Sequence, residues 1–207
     1  GTPVRQHRLV ACVWASAGYT TRGERFAIYD GQRRLKEWLL FNYLVGFDHV
    51  YIYDNSGASN DEGVSLQGIT DLFPDRATRL VWPSKICNNN RNFDDSPGER
   101  SSQYAAESSC RLRFGPHVDW IGQFDIDEYV VPLAKYDSLP PLLDQLESEG
   151  KKIVSFGSWR AWPRKKYIEY VYTWIPYVIV RPSVSHPLSF CEDLLFQFTR
   201  IVHDVAP

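Results

Sequence analysis

At 207 residues the chain sits near the upper end of the single-domain range and is long enough to bury a full core. Hydrophobic residues make up 43% and charged residues 23%, with 13 Gly and 13 Pro, a balance that excludes disordered, collagen-like and coiled-coil chains. Lys and Arg total 23 against 25 Asp and Glu, so the net charge of −2 offers no broad cationic surface to nucleic acid or anionic lipid.

Leu9 to Ala15 (LVACVWA) is short, apolar and rich in β-favouring residues, as a strand buried on both faces requires. Arg34 to Val45 carries strong helix formers, with Leu35, Trp38, Leu39 and Tyr43 on one stripe and Gly46 as a stop, which predicts a helix packed on a sheet. Glu37 lies in that helix among Trp38, Leu40 and Phe41 and is expected to find a structural hydrogen bond or ion pair. His49 to Tyr53 (HVYIY) reads as a strand that breaks into the turn-forming run Asp54-Asn55-Ser56-Gly57. A short helix over Gly68 to Leu72 and a strand over Thr78 to Trp82 continue the alternation, and Asn88 to Gly98 is a polar loop without a period. Arg100 to Phe114 predicts a helix ended by Gly115-Pro116, with Arg111 and Arg113 placed to complement its dipole. Val118 to Phe124 (VDWIGQF) is a strand that runs directly into Asp125-Ile126-Asp127-Glu128. Beyond it, Ser138 to Gly150 predicts a surface helix, Ile153 to Trp162 and Tyr177 to Val180 strands, and Glu192 to Gln197 a helix. This order predicts one α/β domain over residues 1–207, built on a layered, mostly parallel sheet.

Cys12, Cys87, Cys110 and Cys191 contain no CxxC pair, so zinc-ribbon and thioredoxin motifs are absent. Disulfides in an oxidising compartment and buried free thiols both fit this spacing. No stretch approaches the ~18 apolar residues of a membrane span, and the first residues lack a signal-peptide pattern. With no Met, even at position 1, the chain reads as a segment incomplete at both ends, so any anchor or targeting peptide is expected outside it.

Ligands of parallel α/β sheets collect at the carboxyl ends of the strands, and two polar motifs fall there. The first is Asp125-Ile126-Asp127-Glu128. If the chain stays extended, Asp125 and Asp127 point to the same face, where two like charges repel unless a cation lies between them. Hard oxygen ligands of this kind suit Mg²⁺ or Mn²⁺ bridging a diphosphate. The plainer reading is an acidic loop after a strand. The second motif is Asp54-Asn55, which could contact a ribose or a uracil edge or could simply build a turn. Of the five histidines, His186 and His203 could complete a metal shell, while the absence of HxH and HExxH leaves a zinc hydrolase unsupported. Trp159, Trp162 and Trp174 could stack on sugar faces or pack a core.

The order of these motifs resembles glycosyltransferase family 92. The matching stretches are Leu35-Lys36-Glu37-Trp38 through Gly46-Phe47-Asp48-His49-Val50-Tyr51-Ile52-Tyr53-Asp54-Asn55, then Gln103 and Cys110 on one helix. They continue with Trp120-Ile121 through Asp125-Ile126-Asp127-Glu128-Tyr129 to Pro132, and with Val180-Arg181-Pro182 followed by His186. After His186 the run Pro187-Leu188-Ser189-Phe190-Cys191 departs from the family pattern. The resemblance implies the nucleotide-diphospho-sugar transferase (A-type) fold and an inverting transfer, commonly of galactose from a UDP-sugar to a glycan, in the Golgi or secretory-pathway lumen. It makes Asp125 and Asp127 the metal and diphosphate site and Asp54 a nucleotide contact; alongside it, Asn55 and Asp125 are read as further nucleotide-sugar contacts and His186 as a candidate third metal ligand. An inverting transfer also needs a general base, and Glu192 and Asp193 are the late acidic pair available, although acids opening a helix have a plain dipole explanation. Two rivals follow from the same residues. A nucleotidyltransferase would need a Gly-rich, basic phosphate loop after the first strand, where this chain has Ser16-Ala17-Gly18-Tyr19; a glycan-binding relative would keep the fold without the chemistry.

Overall fold

In the computed structural model, which describes residues 4–20, 27–57, 64–84, 99–132, 135–157, 178–179 and 195–200, the apolar run near the start forms the centre of a sheet. Strand β1 (His7–Ala15) is followed by β2 (Tyr19–Thr20), β3 (Ala27–Ile28), helix α1 (Gly31–Val45), β4 (His49–Asp54), α2 (Gln67–Thr70) and β5 (Ala77–Val81). Then come α3 (Glu99–Phe114), β6 (Val118–Phe124), β7 (Val130–Val131), α4 (Leu139–Ser148), β8 (Ile153–Gly157), β9 (Val178–Ile179) and β10 (Leu195–Arg200). The main sheet runs β5-β4-β1-β6-β10-β8. Pairing is parallel from β5 to β6 and antiparallel where β10 joins β6 and β8. This is the expected α/β architecture with a mostly parallel sheet.

Side chains of β1 alternate between two cores, as strand geometry dictates. Leu9, Ala11, Val13 and Ala15 join Leu35, Trp38 and Leu39 of α1 and Leu139 and Leu143 of α4 on one face. Val10 and Cys12 join Tyr51, Tyr53, Ala106 and Cys110 on the other, under α3. Layers of helix on both faces leave Leu9 to Val13 and Ala15 of β1 buried, which is why this stretch shows no polar alternation.

Helix α1 buries Leu35, Trp38, Leu39, Asn42 and Val45 along one stripe. Asn42 takes the inner place and donates from Nδ2 to the Trp38 carbonyl at 2.8 Å, while Tyr43 sits at the edge and donates its hydroxyl to the Arg76 carbonyl. Two glycines set the ends of α1. Gly46 closes it at φ 111°, and a Cβ there would lie 2.5 Å from the Pro140 ring. At Gly31 a Cβ would fall 2.0 Å from the Ser16 carbonyl oxygen, so only glycine lets α1 approach the loop after β1 this closely. Glu37 departs from expectation: half-buried, it makes no hydrogen bond or ion pair with a described residue, because the neighbouring Leu40, 52% exposed, marks that flank as open to water.

The segment expected to open a helix at Glu192 also corrects itself. Leu195 to Arg200 is a strand whose backbone pairs with β6 on one side and β8 on the other. Two waiting strand edges supply a full set of backbone partners, and that non-local gain overrides a local helical signal. The expected strand over Ile153 to Trp162 is seen through Gly157, the strand over Tyr177 to Val180 appears as Val178–Ile179, and Asn88 to Gly98 lies outside the described residues.

Cys12 and Cys110 form a disulfide, both 2% exposed or less, that joins β1 to α3 across a sequence separation of 98. Closing so long a loop restricts the unfolded chain by ~4–5 kcal/mol in the chain-entropy account. Cys110→Ala should therefore cost ~2–5 kcal/mol in a urea titration, and reductant should bring the wild type down to the same midpoint. An unchanged midpoint in both would mean the link carries no stability.

Candidate active site at the strand ends

Parallel pairing brings the carboxyl ends of β1, β4 and β6 to one edge, with Ala15 level with Asp54 and Val13 level with Phe124. The loops that leave these ends are stitched together. Asn55 donates its amide to the Ala15 carbonyl at 2.7 Å, the Ala17 amide donates to Ser56 Oγ at 2.9 Å, and Ser16 Oγ donates to the Gly18 carbonyl.

Asp54 is the foundation of that stitching rather than an exposed ligand contact. Its side chain is 1% exposed; Oδ1 accepts the Ser56 amide, and Oδ2 accepts the Leu66 amide and Arg79 Nε at 2.6 Å. The carboxylate is thus engaged from within the loop rather than standing open at the strand end. Asn55 is likewise buried, with Nδ2 donating to the Trp82 and Ser84 carbonyls and to Ser102 Oγ. The two residues shape the loop on which Ser56 and Gly57 stand.

The acidic motif after β6 is a turn, not an extended strand. The Glu128 amide donates to the Asp125 carbonyl at 3.0 Å, and the Asp125 amide donates back to Glu128 Oε2 at 2.8 Å. Trp38 Nε1, from the buried stripe of α1, donates to the Glu128 carbonyl at 2.7 Å and fixes the turn from below. Asp125 and Asp127 thus occupy the first and third positions of a tight turn, and the same-face argument from strand pleating does not apply. Gln103 Nε2, from α3, donates to Asp125 Oδ1 at 2.6 Å and to Glu107 Oε1 at 3.1 Å.

Four carboxylates therefore share this corner: Glu107, Asp125, Asp127 and Glu128. Burial pushes Asp127 above the usual carboxylate range, with Arg34 offsetting part of the rise. Burial and then the adjacent Asp125 push Glu128 up to about 8, with Asp127 and Glu107 adding to it. Glu107 rises through burial and through Asp125, against the Gln103 hydrogen bond. Negative charge here is costly, so the corner favours a proton or a cation. Among the described residues no three His, Cys, Asp or Glu side chains are disposed to hold a metal ion together. Carboxylate oxygens such as those of Asp125 and Asp127 are the hard donors that Mg²⁺ or Mn²⁺ takes, and such ions are commonly held by one or two carboxylates together with a ligand's phosphates.

His186, Glu192 and Asp193 lie outside the described residues, as do Trp159, Trp162 and Trp174. Sequence reading named Gln103 without a role and passed over Glu107. Their spacing on α3, four residues apart and in step with Cys110, was the available signal.

The description glycosyltransferase family 92 belongs to the family model that matches residues 28–167. A family 92 protein of Oryza sativa subsp. japonica is 28% identical over 99 residues, 47% of this chain and 14% of that protein. One from Arabidopsis thaliana is 28% identical over 109 residues, 51% of this chain and 16% of that protein. One from Ricinus communis is 28% identical over 97 residues, 47% of this chain and 14% of that protein. The matches thus cover about one-seventh of these relatives' lengths. Among solved structures, 4-diphosphocytidyl-2C-methyl-D-erythritol synthase of Anaerococcus prevotii is 10% identical with a TM-score of 0.37, over 93% of this chain and 70% of that one.

Two outcomes test the electrostatics. Asp54→Ala leaves Arg79 and two amides without their acceptor, and since Arg79 keeps 21% exposure the cost should be ~2–4 kcal/mol in chemical unfolding. Unchanged stability would return Asp54 to the surface. For Glu128, the unfolded carboxyl releases its proton near 4.5 and the folded one near 8, so the fold binds the proton more tightly. Its contribution is complete below pH 4.5 and is lost as pH rises through about 8. Glu128→Gln should flatten that decline in melts run in EDTA; an unaltered slope would place the titration elsewhere.

Proposed function

Because the chain belongs to glycosyltransferase family 92, we propose that its strand-end site binds a UDP-sugar, with galactose the sugar, and transfers it with inversion to a hydroxyl of a glycan acceptor. The observation that carries this reading is the Asp125–Glu128 turn: an acidic corner that disfavours its own charge, set where ligands of parallel sheets bind.

Asp125 and Asp127 would hold a Mn²⁺ or Mg²⁺ ion against the donor diphosphate, with His186 proposed as a further ligand. When bound, the cation supplies positive charge to the departing diphosphate. Trp38 and Glu128 hold the turn in shape, and Ser56 keeps the loops of β1 and β4 together around the nucleotide end of the site. The acceptor hydroxyl attacks the anomeric carbon, its proton passes to a general base, and UDP leaves. Glu192 or Asp193 is proposed for that base.

The proposed setting is the Golgi or secretory-pathway lumen. The buried Cys12–Cys110 disulfide supports an oxidising compartment. Among the described residues no helix is long and apolar enough to cross a membrane.

Asp127→Asn tests the assignment, because it removes an anionic ligand while keeping size and shape. Mn²⁺ affinity in the presence of UDP and sugar transfer should fall together, while the melting temperature in EDTA stays level or rises as a costly buried charge is relieved. Equal Mn²⁺ affinity in the two proteins would overturn the metal assignment.

A further inference from the structure

We propose that Gln103 is a positioning residue for Asp125: a neutral, two-pronged donor that fixes the carboxylate without cancelling its charge. The inference rests on the metal-binding reading of the strand-end turn and adds to it a residue on a different element.

A primary amide carries two N–H donors on one nitrogen. Gln103 Nε2 reaches Asp125 Oδ1 at 2.6 Å and Glu107 Oε1 at 3.1 Å, so it joins two acids that would otherwise push each other apart. Other side chains fail in identifiable ways. Lysine would offer donors of the same reach, but its charge would neutralise the corner and compete with a divalent cation. Glutamate would add a further like charge to a corner that already holds four, and an aliphatic residue would remove the donor that Asp125 and Glu107 share.

The amide can act this way only if α3 is fixed against the end of β6, and three links fix it. Ser102, fully buried, accepts from Asn55 Nδ2 at 3.3 Å and shares a 2.8 Å hydrogen bond with Ser84 Oγ, which ties the start of α3 to the ends of β4 and β5. Gln123 Nε2 of β6 donates to the Glu107 carbonyl at 3.3 Å. Two turns beyond Gln103, Cys110 is covalently joined to Cys12, which sits level with Gln123 in the sheet. Gln103, Glu107 and Cys110 share one side of α3, so the disulfide that holds the helix to the core also sets the height of the amide beside Asp125.

The experiment uses the full chain with Mn²⁺ and UDP as probes, free Mn²⁺ being followed by electron paramagnetic resonance, alongside melts in EDTA. Gln103→Lys should weaken Mn²⁺ binding about tenfold or more while its melt in EDTA holds or rises, because the ammonium pairs with the same two acids. Gln103→Ala, which removes this one donor from Asp125 but keeps the negative charge, should weaken Mn²⁺ binding by a smaller factor and lower the EDTA melt. A residue that merely packs α3 predicts otherwise: both variants less stable in EDTA, with wild-type Mn²⁺ affinity in the folded protein. That outcome overturns the proposal. Should Gln103→Lys fail to fold, wild-type Mn²⁺ affinity in Gln103→Ala overturns it alone. Absence of Mn²⁺ binding by the wild type would instead remove the metal reading itself, and this inference with it.

Discussion

The structure depends on the parallel placement of β1 between β4 and β6. A strand paired on both edges and covered by helices on both faces must be apolar where it is covered, as β1 is from Leu9 to Val13, and it must end where its neighbours end. The consequence is chemical as well as structural. Three strands that stop together deliver Ser16 to Gly18, Asp54 to Gly57 and Asp125 to Glu128 to one edge, although these segments are far apart in the chain. Gly31 carries the same constraint into α1, whose first turn can press on the loop after β1 only without a side chain.

Around that edge the polar residues divide into two kinds. Asp54 and Asn55 are buried and hydrogen-bonded to neighbouring loops and strands, so their removal costs stability. Asp125, Asp127, Glu128 and Glu107 stand together in a setting that raises the affinity of Asp127, Glu128 and Glu107 for protons, and it is their joint charge that the proposed site would use. Gln103 stands between the kinds: it is placed by the core and acts on the charged corner.

Much of the fold was legible because its signals are local. LVACVWA, HVYIY and VDWIGQF are apolar runs of strand length, the α1 stripe has helical spacing, and Gly46 and Gly115-Pro116 punctuate their helices. The acidic motif was legible as a strand-end feature for the same reason. What sequence could not convey is partnership at a distance. The Asp125–Glu128 turn depends on Trp38, 90 positions from Glu128, and the burial of Asp54 depends on Arg79 and the Leu66 amide, 25 and 12 positions away. Leu195 to Arg200 follows two sheet edges rather than the acids before it. Cysteine spacing alone left disulfide and free thiol equally open, and only the meeting of β1 with α3 joins Cys12 to Cys110.

The central claim is that the cation and the donor meet at this edge of the sheet. It is tested most directly by paramagnetic line broadening: Mn²⁺ is titrated with UDP into the isotope-labelled full chain and the backbone amide signals are followed. Amides of Asp125 to Glu128, Ser16 to Gly18, Ser56 to Gly57 and Gln103 should broaden first. His7, His49 and Thr78, which cluster at the opposite end of the strands, should stay sharp. Early broadening at that opposite end, or equal broadening everywhere, would contradict the account.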